Sequence, residues 1–265
     1  MKTPNDKAMS LPVWVTRPES QTEIIEPELA ALGCDVILQP MLKIEAIEET
    51  PTIRSQFMNI DLFDVVIAIS RNAAEAGLAQ LDQYWPLGQT NMSGPLGVTW
   101  VAIGPVTAEV MISQGLDVEM PEGQFDSEGA LKLKSLQNVA GKKILIWRGV
   151  GGRETLAQTL RDRGAEVVYS ELYQRLVPEY NEAQWQQTLS KNPLLLVSSG
   201  QGLEAIASQQ PKISEKVRGI IAPSHRVAEL AKSLGFTRIH IADSAQDSDM
   251  LVAVKSFIKQ ESTLN

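Results

Sequence analysis

The chain has 265 residues, 43% hydrophobic and 21% charged, with a formal net charge of −8. That length allows one or two domains, and the acidic balance argues against nucleic acid as a partner, since phosphate binding needs a basic face. No apolar run approaches the roughly 18 residues of a membrane span, and the start, MKTPNDKAMS, lacks a signal-peptide core, so a cytoplasmic protein with no membrane partner is expected.

Residues 1–8 read as a disordered leader, with Met9 an alternative start to Met1. Strand character at 13–16 and 35–38 brackets a helix over 18–32, interrupted by Pro27 because an interior proline kinks a helix or displaces its start. Cys34, alone in the chain, can form no internal disulfide and reads as a small buried apolar residue. An extended charged stretch at 40–49 and a weak helix lead to the β-branched run 63–69, a buried strand. Ser70-Arg71-Asn72 caps the following helix, and 84–97 is a surface loop. Next come a strand at 98–103, a helix from Gly104-Pro105 to Gly115, a short strand at 118–121 and a helix over 127–136 capped by Ser127.

The stretch 142–175, KKILIWRGVGGRETLAQTLRDRGAEVVYSELYQR, spells one complete βαβ unit. Its apolar strand at 143–147 gives way to a glycine turn at 148–152. A helix carries Arg153, Leu156 and Leu160 at helical spacing, Gly164 is its left-handed cap, and a strand begins at 166–169 before a polar exit that holds Tyr173. Beyond 175 the order is helix 181–189, strand 194–197, helix 201–208, strand 217–221, helix 224–234, strand 238–241 and helix 247–260.

The same unit occurs at the front of the chain. VWVTRPESQTEIIEPELAALGCDVILQPMLKIE, residues 13–45, aligns with it at a shift of 131, placing Arg17 on Arg148 and Gly33 on Gly164. Residues 64–81 resemble 194–207, with Ser70 on Ser198, and 100–115 resemble 219–235, with two extra residues in the second copy's turn. The chain is a duplication. Strands alternating with helices at this spacing mean parallel sheets covered on both faces, where ligands sit at the carboxyl ends of strands beside helix N-termini. The turns there carry Thr16-Arg17, Ser70-Arg71, Thr107, Arg148-Gly149-Val150-Gly151-Gly152-Arg153, Ser198-Ser199 and Ser224-His225-Arg226, an anion-binding pattern in an otherwise acidic protein. His225 reads as a capping or solvent-facing residue, His240 has no functional case, and two distant histidines with one cysteine make no metal cluster.

In order and spacing, VTRPE, DVVIAISRNA, AIGPVTA, RGVGGR with ELYQR, VSSGQGL and SHRVAELAKSLGF resemble the uroporphyrinogen-III synthase family over residues 13–260. The resemblance implies an α/β protein of two similar, intertwined, flavodoxin-like domains with parallel sheets, joined by a two-stranded linker. The first domain would take residues 9–42 and 176–265, the second 43–175, with linkers at 42–48 and 172–178. It also implies a lyase with no metal or organic cofactor, while the acidic charge balance favours a monomer. Such an enzyme closes the linear tetrapyrrole hydroxymethylbilane, handed over by hydroxymethylbilane synthase, into uroporphyrinogen III.

On that resemblance Tyr173, in ELYQR, assists the departing hydroxyl. Ser70, Thr107, Ser198, Ser199 and Ser224 contact carboxylates or pyrroles, Gly149 and Gly151 supply backbone donors, and Arg17, Arg148 and Arg153 clamp carboxylates. Each has a blander reading: helix cap for the hydroxyls, ion pair for the arginines, a buried brace for Tyr173. A dinucleotide loop at RGVGGRE is disfavoured, because Glu154 stands where that fingerprint wants Gly or Ala. The rival from another class is a non-catalytic bilobed protein that binds a small polyanion.

Overall fold

The apolar runs fold as short buried strands and the periodic stretches between them as helices in the computed structural model, which describes residues 10–85, 95 and 97–264. The leader and most of the 84–97 loop lie outside those residues. In chain order the elements are β1 (Pro12–Val15), α1 (Ile25–Ala31), β2 (Asp35–Leu38), β3 (Lys43–Ala46), α2 (Pro51–Met58), β4 (Val65–Ala68), α3 (Arg71–Tyr84), β5 (Thr99–Ala102), α4 (Pro105–Ser113) and β6 (Val118–Glu119). There follow α5 (Ser127–Ala130), β7 (Lys143–Gly149), α6 (Thr155–Asp162), β8 (Glu166–Leu176), α7 (Glu182–Leu189), β9 (Leu194–Leu196), α8 (Gly200–Gln209), β10 (Gly219–Ala222), α9 (His225–Ser233), β11 (Ile239–Ile241) and α10 (Asp247–Leu264).

Internal contacts divide the chain into two units, with boundaries after Lys43 and after Arg175. The discontinuous unit holds a parallel sheet in the order β2-β1-β9-β10-β11. Numbered within the unit, that is the flavodoxin order 2-1-3-4-5. The continuous unit orders its parallel strands β8-β7-β4-β5-β6, with β3 beside β8 at the edge. With β7 and β8 taken as its first two strands it has the same 2-1-3-4-5 order, so the leading βαβ piece has moved to the end of its segment.

Each sheet buries both faces, as parallel sheets do. In β4, Val65 and Ile67 join one apolar cluster while Val66 and Ala68 join the other. In β1, Trp14 faces one cluster and Val13 and Val15 the other. The period of two in side-chain direction thus makes a continuous hydrophobic run serve two layers of helices.

The register refines the repeat. Val13 pairs with Val36 as Ile144 pairs with Val167, which keeps the shift of 131, and Gly33 and Gly164 both have φ above +75°. Trp14 pairs with Leu195 as Leu145 pairs with Val66, so the residue that matches Ser70 is Ser199, not Ser198. Both cap a helix, Ser70 accepting from the Ala73 N–H and Ser199 from the Gly202 N–H. In the third block Trp100 matches Ile220, Gly104 matches Ser224 and Gly115 matches Gly235, with no insertion in the turn.

Local boundaries also differ from expectation. Pro27 falls in the first turn of α1, which starts only at Ile25; a missing N–H costs nothing there. Arg148 and Gly149 belong to strand β7 rather than to the turn, and Arg153 precedes α6 instead of riding on it. The strand runs on because β8 is itself one continuous element, so the exit bearing Tyr173 still pairs with Gly149. The helix expected over 127–136 stops at Ala130, and its cap is Asp126, whose carboxylate accepts from the Gly129 N–H at 2.8 Å.

Candidate active site

In the continuous unit, β7 and β8 lose register at one point. Arg148 lies opposite Glu171 and Gly149 opposite Tyr173, leaving Leu172 as the extra residue of a bulge. The bulge swings the Tyr173 ring across Gly149, where an added Cβ would sit 2.6 Å from Tyr173 Cζ. The Val150 N–H donates to the Tyr173 carbonyl at 2.8 Å, tying the glycine loop to the same residue. Tyr173 is 2% exposed. Its phenol oxygen lies 3.1 Å from Ser70 Oγ and accepts from Arg175 Nη2, also at 3.1 Å. Ser70, Gly149 and Tyr173 therefore meet at the carboxyl edge of β4 and β7.

Arg148 does not project freely. It is 2% exposed and donates to the carbonyls of Gly149 and Gly151. It also pairs with Glu154 at 2.8 Å and lies 4.4 Å from the centre of the Tyr169 ring. The Tyr169 hydroxyl donates to the other oxygen of Glu154. Those bonds, Tyr169 first and Arg148 second, hold the Glu154 carboxyl below its ordinary range, while burial and then Glu154 push the Tyr169 phenol up. The loop folds back over the guanidinium because Gly151 and Gly152, with φ of 73° and 113°, adopt a backbone that other residues rarely take.

Beside this clasp lies a cavity of about 240 Å³, lined by Ile69, Ile103, Ile146, Leu156 and Ala157, with Asp126, Ser127, Arg148, Arg153 and Tyr169 completing its wall. Arg153 is exposed and, among the described residues, has no ion pair. Thr107 is buried in the first turn of α4, whose N-cap, Gly104, offers no side chain.

In the discontinuous unit Arg17 is 7% exposed, paired with Asp247 and bonded to the Ala245 carbonyl at 3.1 Å. Its guanidinium ties the end of β1 to the start of α10. Ser199 and Ser224 cap α8 and α9, and Ser198 is half-buried at the end of β9. Arg226 Nη1 would be 3.6 Å from a Cβ on Gly200, so an exposed guanidinium stands next to the Ser199 cap.

Arg175 was given no role from the sequence, and Arg226 was named only within the anion-binding turn 224–226. The signal for Arg175 was present: on a strand, residues two apart share a face, so Arg175 had to accompany Tyr173. Among the described residues no three or more His, Cys, Asp or Glu side chains gather as a metal site, and no helix is long and apolar enough to cross a membrane.

Two parallel sheets of flavodoxin order in one chain, with hydroxyl, glycine and arginine side chains at the carboxyl ends of their strands, define a duplicated α/β protein. The family model for uroporphyrinogen-III synthase HemD matches residues 24–252. The chain is 33% identical to the uroporphyrinogen-III synthase of Salmonella typhimurium over 250 residues, covering 92% of this chain and 99% of that protein. The Escherichia coli uroporphyrinogen-III synthase is 31% identical, with the same coverage. Among solved structures, uroporphyrinogen-III synthetase from Helicobacter pylori (TM-score 0.60) and a mutant uroporphyrinogen III synthase from Thermus thermophilus (TM-score 0.59) share the fold at 15% identity, over 94% and 95% of this chain and the whole of each of theirs. The chain belongs to the uroporphyrinogen-III synthase family.

Proposed function

We propose that this chain closes hydroxymethylbilane into uroporphyrinogen III, inverting the last pyrrole ring. The observation that carries the reading is family membership along nearly the full length of relatives bearing that activity's name. The chemistry begins when the terminal carbinol loses its hydroxyl as water, which needs one proton and leaves an azafulvene cation. The cation is attacked through a substituted ring carbon to give a spiro intermediate, which fragments and recloses; the final loss of a ring proton balances the one supplied.

Tyr173 is the proposed donor of that first proton. Its oxygen accepts from Arg175 and its own hydrogen is free to point at Ser70 or at a substrate hydroxyl. The Arg175 cation faces the charge that develops on the phenol oxygen, the kind of pre-set electrostatic support that works best where water is scarce. Ser70, Thr107, Arg153, Ser198, Ser199 and Ser224 are the proposed substrate contacts, together with the backbone of Gly149 and Gly151. Arg17 and Arg148 are proposed to shape the turns that carry those contacts, since each guanidinium is already engaged. Holding the chain so that the spiro route wins is a positioning task, for which effective molarities of about 10⁵ M and above are attainable. The protein is proposed to work as a cytoplasmic monomer supplied directly by hydroxymethylbilane synthase.

The test is incubation with freshly prepared hydroxymethylbilane, oxidation, and chromatography of the porphyrin isomers. A type III product supports the proposal; type I alone, as a mere polyanion-binding protein would leave, ends it.

A further inference from the structure

The cavity beside the Arg148 clasp gives the proposed contact at Arg153 a defined setting, which the reaction scheme does not specify. It lies at the carboxyl ends of β4 and β5, since Ile69 directly follows β4 and Ile103 directly follows β5. That is the side on which open α/β sheets take ligands. At about 240 Å³ it falls below the range of about 300–1,000 Å³ in which whole drug-sized ligands are held, so it suits one ring with its arms rather than a tetrapyrrole. Three isoleucines, Leu156 and Ala157 make an apolar floor for a flat ring.

The charges around the cavity are unequal in availability. Asp126 is committed to the Gly129 N–H and to Gln124, and Arg148 to Glu154 and the loop carbonyls. Arg153 alone among the ionisable lining residues has no ion pair or hydrogen bond among the described residues. Ile69, in the wall, is the chain neighbour of Ser70, which touches the Tyr173 phenol. Ile69 packs with the cluster on one face of the sheet and Tyr173 with the cluster on the other, so a ring seated here lies across the carboxyl edge of the sheet from the proposed proton donor.

We infer that this cavity is a subsite for a single pyrrole ring of the substrate, with Arg153 taking the carboxylate of one of its arms. The inference rests on the proposed reaction and assigns it a place for one ring. Arg153 sets the specificity, because a ring without an acidic arm gains nothing from it, and it contributes to binding rather than to the bond-breaking step.

The probe is a monopyrrole bearing one acetate and one propionate arm, titrated calorimetrically into the full chain, with its dimethyl ester as control. The diacid should bind the wild type and lose about fivefold or more in affinity in Arg153→Ala, the loss being smaller in Arg153→Lys and shrinking as salt is raised, while the ester should show neither dependence. Ser127→Phe, which adds a ring at a half-buried position of the cavity wall, should abolish monopyrrole binding. With hydroxymethylbilane, Arg153→Ala should raise KM by a similar factor with kcat changing less. Equal diacid affinity in wild type, Arg153→Ala and Ser127→Phe overturns the subsite, as does an enzyme that makes the type III isomer yet binds no monopyrrole. Failure of the wild type to make that isomer overturns the proposed reaction instead, and the monopyrrole titration then decides the cavity on its own.

Discussion

The phenol oxygen of Tyr173 stands 3.1 Å from Ser70 Oγ, joining the bulged end of β8 to the cap of α3. Ser70 already accepts from the Ala73 N–H, so its hydroxyl position is fixed by the helix it starts, and Tyr173 inherits that fixity. Replacing Tyr173 by Phe removes one hydroxyl and leaves the ring against Gly149. Turnover of hydroxymethylbilane to the type III isomer should fall by tens-fold. The melting temperature should drop by no more than about 4 °C, the shift expected for about 1 kcal/mol of lost hydrogen bonding in a chain of this size. Unchanged turnover removes Tyr173 from the chemistry.

Arg175 bears on the same oxygen from an exposed position. Arg175→Leu should lower kcat by about tenfold with a smaller change in KM, and Arg175→Lys should restore part of it, because the charge matters more than the fork. A variant that loses affinity while keeping kcat would make Arg175 a substrate contact instead.

The ring of Tyr173 occupies the space a side chain at Gly149 would need. Gly149→Ala forces the ring or the strand to move and should cost about 1–3 kcal/mol. Activity should fall with it, since the phenol leaves Ser70. Chemical denaturation and steady-state kinetics on the same preparation measure both; an alanine variant as stable and active as the parent contradicts the close packing.

Glu154 links Arg148 to Tyr169 and titrates below its ordinary value of 4.5. A carboxyl depressed by folding adds stability that is fully present above its unfolded value and is lost as the pH falls through the folded one. Wild-type melting temperature should therefore decline below about pH 4.5, and Glu154→Gln should flatten that part of the profile while leaving the region above pH 6 similarly shaped. Parallel profiles for the two proteins would show that the loop gains nothing from the carboxylate.

The sequence carried much of this. Alternation of apolar strands with helices is a long-range pattern that survives local error, so the duplicated parallel architecture was readable. The registers were harder. Whether Ser198 or Ser199 answers to Ser70 is a one-residue question that turns on which residues pair across strands β1 and β9, and no local feature of VSSGQ decides it. Arg148 was legible as important but not as enclosed. Its partners, Gly151, Glu154 and Tyr169, surround it only because the glycines let the loop curl back. The bulge that brings Tyr173 over Gly149 is equally silent in sequence, since ELYQR fits an even strand as well as a broken one. Asp126 displaced Ser127 as the helix cap because capping depends on backbone angles, and either residue type suits the role.

The rearranged strand order also sets a timetable. During synthesis β1, α1 and β2 are made before the continuous unit, yet their sheet partners β9 to β11 follow only after that entire unit has been made. At about 5–20 residues per second that wait is on the order of ten seconds. Throughout it the buried strand segment Val13–Val15 has no neighbour on its β9 side, so the nascent β1–β2 piece is the stretch on which chaperone occupancy should concentrate.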